Sequence, residues 1–281
     1  MGEVWRGQEV YRSMEMTEGA ASLFEEEMAA KFLATRDAGG RVNLSVVISL
    51  QPWPGEEGKK LVFADMMMGR TRRNLEEDPR AAVLVVNGKL RTAVAKVIFR
   101  GFHRGGPYKE FVDSSPILRY NAYSGSRAAG VLEVVDALPE TSIPLAAVIL
   151  GKALLALGPR PGAGGGRGDL PPLVSRRFSS LTSVKALAVP GKDGHPLVLP
   201  VMALSTRRGG VMVMVPAAYR EMLGGAVLPA LGMACLLTMD AKSYKAEGRV
   251  ERLGGRLALF LEAAYSAMPP LVGEEIELVR A

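Results

Sequence analysis

Cysteine occurs once in these 281 residues, at Cys235. That excludes an intrachain disulfide and any multi-cysteine metal site. Histidine is almost as scarce. His103 and His195 cannot build a histidine-rich metal site, and both read as loop residues. Aromatic residues make up 6% of the chain and do not interleave with the basic ones, so no base-stacking platform is supported and no nucleic-acid partner is expected. No apolar run reaches the ~20 residues that span a bilayer. The longest, Ile143 to Leu157, is broken by Gly151 and Lys152 and reads as a packed helix, so no membrane partner is expected. Met1 to Ala20 mixes Glu and Arg with apolar residues and lacks the uninterrupted apolar core of a signal peptide, which makes the cytoplasm the expected location.

Hydrophobic residues account for 48%, close to the globular average, so the chain is neither disordered nor fibrous. Its length suits two domains or one large one. The formal charge of +6 is spread out, with its densest cluster at Arg70, Arg72 and Arg73.

A linker stands out at Gly158 to Asp169, where Gly, Pro and Arg replace any apolar periodicity. The two sides read alike. Before it, short strands are expected at Lys31–Thr35, Val42–Leu50, Lys60–Ala64, Arg80–Asn87 and Ala93–Phe102. A helix opening at Gly106–Phe111 and a strand at Gly130–Ala137 follow. After it come Lys185–Val189, Pro196–Leu204, Val211–Val215, Met233–Met239 and Ser243–Val250. A helix-like Arg256–Ala267 and a last strand at Glu275–Val279 complete the set. KFLAT matches KALAV, DAGG matches GKDG, and a glycine (Gly101, Gly248) ends each fifth strand. An internal duplication is expected. Short β-rich strands with a late helix suggest one small antiparallel barrel per half. Thr17 to Lys31 reads as an amphipathic helix with Leu23, Phe24, Met28 and Phe32 on one side.

The richest stretch for chemistry is Leu61 to Pro79. A strand runs into Gly69, then Arg70 and Thr71, and a short helix closes at Asp78-Pro79. A helix start offers unpaired N–H groups and the positive end of its dipole. Arg70 adds a forked contact to a phosphate and Thr71 a hydroxyl, while Gly69 turns the backbone without a Cβ clash. Met66, Met67 and Met68 cannot all face inward on a strand, so at least one lines a surface or pocket. Trp53, between two prolines, reads as a loop residue packing locally.

Taken in order, Gly39-Gly40, Val42 to Val47, Leu61 to Asp65, Gly69-Arg70-Thr71, Asn74-Leu75 and Glu76 to Pro79 resemble the pyridoxamine 5′-phosphate oxidase-like FMN-binding split barrels. The resemblance is continuous over Lys31 to Asn87, weaker to Ala137, and looser in the second half. It implies a mainly β chain of two tandem split barrels forming a pseudo-dimer. The implied units are an FMN-binding barrel at 17–140, an apolar helix and linker at 141–175, and a degenerate second barrel at 176–281. It also implies FMN as cofactor, with its phosphate on Arg70 and Thr71. Ser45, Val46 and Val47 would contact the flavin, Met67 and Met68 would flank it, Gly69 would open the phosphate-binding element, and Lys96 would supply a polar contact from the fifth strand.

The second copy departs from the pattern. Leu199 stands for Ser45 and Pro200 for Val46, and only Arg220 remains as a phosphate-directed charge. That half is expected to have lost its own phosphate site and to wall the first barrel's flavin. The chain ends without the Arg- and Trp-containing segment of the true oxidases, which argues against pyridoxamine phosphate as substrate. The expected function is an FMN-dependent oxidoreductase acting on an unknown small molecule or electron donor, with no catalytic side chain and no metal site named. The alternatives are a flavin-binding electron carrier or redox sensor, or a haem- or deazaflavin-binding relative. Further pairing as a homodimer stays open.

Overall fold

A computed structural model describes residues 15–116, 118, 125–158, 166–268 and 271–279. Most of the segment read for a leader, and the middle of the linker, lie outside the described residues.

The first half builds an eight-stranded antiparallel sheet. Its strands are β1 (Ala30–Arg36), β2 (Val42–Val46), β3 (Gln51–Pro52), β4 (Lys60–Ala64), β5 (Arg80–Val86), β6 (Arg91–His103), β7 (Ala129–Ala137) and β8 (Thr141–Ser142). They run in the order β2-β1-β5-β6-β7-β4-β3, with β8 on β6. The second half supplies β9 (Val184–Pro190), β10 (Pro196–Pro200), β11 (Ala203–Arg207), β12 (Gly210–Met214), β13 (Ala230–Leu237), β14 (Ser243–Leu253), β15 (Arg256–Ser266) and β16 (Glu275–Ile276). Their order is β10-β9-β13-β14-β15-β12-β11. Adding eight to each number of the first path gives the second. The fold is mainly β, two tandem split barrels.

Strands that lie between two cores read as apolar runs rather than alternations. In the first barrel Leu33, Val83 and Ala95 point into the barrel. Their neighbours Phe32, Ala34, Ala82 and Leu84 point the other way, into a core shared with Leu187, Leu199, Met233 and Cys235 of the second barrel. The two barrels therefore close on each other through one continuous apolar interface within the chain.

Several local expectations change. Arg256–Ala267 is strand β15, not helix. Its Leu257, Leu259 and Leu261 face the shared core and Ala258 and Phe260 the opposite side, a period of two imposed by pairing with β12 and β14. Tertiary pairing here overrides the helix propensity of Leu, Ala and Glu. Pro196–Leu204 breaks into β10 and β11 at Val201-Met202. Gly101 and Gly248 lie inside β6 and β14 at register shifts rather than at strand ends. His103 ends β6 rather than sitting in a loop.

Helix α1 (Glu18–Glu25) is shorter than expected. Thr17 caps it by accepting from the Ala20 N–H. Leu23 and Phe24 are buried, while Met28 is exposed and Phe32 belongs to β1. Helix α2 (Gly69–Glu77) ends where Pro79 forces Asp78 into an extended conformation. Helix α3 (Pro107–Asp113) packs on β4, and Trp53 stacks against its Tyr108 and Phe111. Helix α4 (Leu145–Leu157) and α5 (Pro172–Ser179) both pack on β11 of the second barrel. A four-residue α6 (Arg220–Leu223) follows β12.

Candidate cofactor site

Helix α2 leaves β4 through Met66, Met67 and Met68. The left-handed backbone falls on Met67, at φ 53°, and not on Gly69, around which a Cβ would meet nothing within 4 Å. A methionine in that region is uncommon, and it stands more than half exposed. Met66 packs under α3 and Met68 against the barrel core. Met68 precedes the helix without a capping side chain.

Asn74 and Leu75 hold α2 down. Asn74 Nδ2 donates to Thr35 Oγ1 (3.2 Å) on β1, and Leu75 enters the barrel core. The three arginines then separate by helical position. Arg72 bonds the buried Asp65, pairs with Glu76 and lies over the Phe102 ring. Its role is structural. Arg70 and Arg73 instead line a cavity of about 420 Å³ with Arg41, Tyr265 and three carboxylates, Asp37, Glu77 and Glu247.

Below Arg70 lies a buried polar cluster. Thr71 Oγ1 and Ser45 Oγ share a hydrogen bond of 2.8 Å, and Asn43 Nδ2 donates to Thr71 Oγ1 at 2.9 Å. Thr71 thus positions Ser45 rather than reaching the cavity. Lys245, from β14 of the second barrel, donates to Ser45 Oγ (2.8 Å) and Asn43 Oδ1 (3.3 Å). Among the described residues no carboxylate bonds its ammonium. Burial, with a further contribution from Arg70, lowers its pKa to about 8. Arg70 meanwhile forks onto Glu247, also on β14, at 2.8 and 3.3 Å. Burial works against the Arg70 charge, and Glu247 more than restores it.

The structure brings Ser45, Gly69, Arg70 and Thr71 together at this junction. Val46 is half-buried against the shared core, and Val47 lies in the barrel core. Lys96 does not join them. Ser45 pairs with Leu33, Leu33 with Val83 and Val83 with Ala95, so Lys96, one residue on, points from the opposite face of the sheet. There it bonds Asp136 on β7 and Asp193 in the β9–β10 turn. Sequence reasoning missed Asn43, Lys245, Glu247 and Tyr265. Asn43 is two residues before Ser45 and could have been found by strand alternation. The others arrive from the second barrel and carry no local signal.

The donor set suits a phosphate. Arg70 stands at an uncapped helix start with Glu247 as a carboxylate in the place of a competing anion, and the buried Lys245, behind Ser45 and Asn43, is bonded only to neutral oxygens. Arg220, the residual charge of the second copy, instead sits in a separate 170 Å³ cavity with Arg252 and Arg256. Among the described residues no cluster of three metal-ligating side chains exists.

Two split barrels closed on one another, with a charged pocket at their junction, define the class: a tandem split-barrel protein. Residues 16–140, the first barrel, match the family described as Pyridoxamine 5'-phosphate oxidase. Solved structures similar to the chain include an FMN-binding protein from Syntrophomonas wolfei subsp. wolfei (19% identity, 45% of this chain and 86% of that one, TM-score 0.38). HupZ from Group A Streptococcus is also similar (20%, 42% and 89%, TM-score 0.34). HutZ, described as a heme storage protein, from Vibrio cholerae is a third (15%, 43% and 89%, TM-score 0.32). No curated protein matches the chain.

Proposed function

We propose that the chain is an FMN-binding oxidoreductase whose flavin phosphate is held by Arg70 and the start of α2 in the first barrel, with Lys245 reaching in from the second. The observation that carries this reading is the Ser45–Thr71–Asn43 cluster bridged to Lys245 beneath an arginine-lined cavity. When bound, the flavin would supply hydride or electron transfer. The chain's own residues would neutralise the phosphate, fix its orientation and wall one side of the pocket with Glu247 and Tyr265. Two barrels with the same strand order support descent by duplication. In the second, Leu197 and Leu199 stand by strand register where Asn43 and Ser45 stand in the first, so only one phosphate site is assigned per chain.

The absorption spectrum of the isolated protein, before and after added FMN, tests the binding step. A flavin band that survives gel filtration supports it, and a colourless protein that fails to retain added FMN removes it. Consumption of NAD(P)H by the loaded protein with a panel of acceptors then separates an oxidoreductase from an electron carrier or sensor.

A further inference from the structure

Helix α4 buries only one stripe. Val148, Gly151 and Leu155 face the second barrel, where a Cβ on Gly151 would stand 3.0 Å from that of Ala203. The rest of the helix is bare. Leu145, Ile149, Leu150, Leu154 and Leu157 are 61, 52, 60, 40 and 87% exposed, and the alanines between them are exposed too. At 3.6 residues per turn these side chains cover about half the circumference. The half-buried Lys152, at its edge, is the helix's lone polar side chain. A soluble surface helix places charged residues there. Thirteen residues reach ~20 Å, short of the ~30 Å hydrocarbon core, so this helix can lie on a bilayer and cannot cross one.

The fringe of the patch is basic. Arg207 donates to the Leu155 and Ala156 carbonyls and Arg256 to that of Leu154, so both guanidiniums stand at the C-terminal end of α4. The described residues from 141 to 177 carry Lys152, Arg167, Arg176 and Arg177 against one acid of their own, Asp169, with Arg177 paired to Asp240 of the β13–β14 turn. A second copy meeting this face across a two-fold axis would set like charges against one another. An anionic lipid surface complements both the leucines and the arginines. We propose that α4 docks flat on an anionic lipid surface, with its leucines among the acyl chains and the flanking arginines at the headgroup phosphates.

The test is co-sedimentation of the full chain with vesicles of phosphatidylcholine alone and of phosphatidylcholine with phosphatidylglycerol in equal parts. The unchanged protein is expected to pellet with the anionic vesicles, less so at high salt, and to stay in solution with the neutral ones. Leu150→Glu/Leu157→Glu should abolish pelleting. Arg207→Ala/Arg256→Ala should weaken it, roughly fivefold for each arginine removed. Met239→Glu, at a position 82% exposed elsewhere on the second barrel, should leave it unchanged. Circular dichroism checks that each variant is folded. Absence of pelleting, or equal pelleting by the chain and its double-glutamate variant, overturns the proposal. A native mass of two chains that falls to one in that variant, without vesicle binding, would assign the face to a second copy instead. None of these readouts depends on flavin.

Discussion

Arg70, at the start of α2 in the first barrel, is bound through both terminal nitrogens by Glu247, midway along β14 of the second, at 2.8 and 3.3 Å. Any phosphate at the cavity competes with this carboxylate for the guanidinium. Glu247→Gln is therefore expected to tighten FMN binding. Arg70→Ala should weaken it by roughly ten- to a hundredfold, the range of a lost charge-assisted hydrogen bond. Arg220→Ala, in its separate cavity, should leave it unchanged. Flavin fluorescence titrations with FMN and with riboflavin check this. Equal losses for Arg70→Ala and Arg220→Ala, or equal losses for both flavins, would contradict a phosphate role for Arg70.

Lys245 gives the same site a pH signature. Its pKa is lowered to about 8 in the protein, chiefly by burial. Below that pH the ammonium is present to meet a phosphate, and above it the charge is lost. FMN affinity should therefore fall as pH rises through about 8, against an ordinary lysine value of about 10.4. Lys245→Met should bind less tightly at neutral pH and lose that decline. Binding titrations from about pH 7 to about pH 10 decide it.

The barrel was legible in the sequence because its signals are local. KFLAT and KALAV are the central strands β1 and β9, and Gly69 to Pro79 is a helix with a proline stop. Ser45 and Thr71 could be singled out from their neighbours in the chain, but not that Thr71 turns to Ser45 rather than to the cavity. What failed were features set by pairing partners. Arg256–Ala267 has the composition of a helix, and only β12 and β14 on either side make it a strand. Lys96 is misplaced by one residue of alternation, which turns a side chain to the other face of a sheet. Lys245 and Glu247 lie about two hundred residues from Ser45 and Arg70, the residues they bond, and no pattern within β14 announces it.

Gly248 sits at the β14 register shift next to Glu247. A Cβ there would fall 1.9 Å from the Phe260 carbonyl oxygen, and a backbone atom cannot rotate away. Gly248→Ala should cost ~2–3 kcal/mol, as overpacking with backbone displacement does. It should also disturb the aim of Glu247 at Arg70. Urea denaturation measures the first effect and the FMN dissociation constant the second. A variant as stable as the parent would show that the bulge relaxes freely.

Lys185 is fully buried on β9, donating to the Ser180 and Met202 carbonyls. Burial lowers its pKa to about 7. Between about pH 7 and its unfolded value near 10.4 the unfolded chain holds a proton that the folded one has released, so folding stability rises with pH there. The slope from this one group is about 1.4 kcal/mol per pH unit. Lys185→Met should remove that slope, read as the difference between parent and variant in denaturation midpoints across the window. Parallel curves for the two proteins would mean that Lys185 stays charged in the folded state.

Lys96 joins the barrels through two carboxylates, Asp136 at 3.1 Å and Asp193 at 2.7 Å. Burial raises the Asp136 pKa even with Lys96 beside it, and Asp193, half-exposed, retains water as an alternative partner. Lys96→Met strands the Asp136 carboxylate at the sheet surface and should cost ~2–3 kcal/mol at neutral pH, toward the lower end for a broken, largely buried pair. With its partner gone the Asp136 pKa rises further. A carboxyl whose folded pKa lies above the unfolded one favours the folded state at acid pH and loses that contribution as pH rises through the folded value. The deficit of Lys96→Met should therefore shrink as the pH is lowered toward the carboxylate range. FMN affinity should not change, because Lys96 and Ser45 lie on opposite faces of the same sheet. A variant that loses flavin while keeping its stability would return Lys96 to the cofactor site.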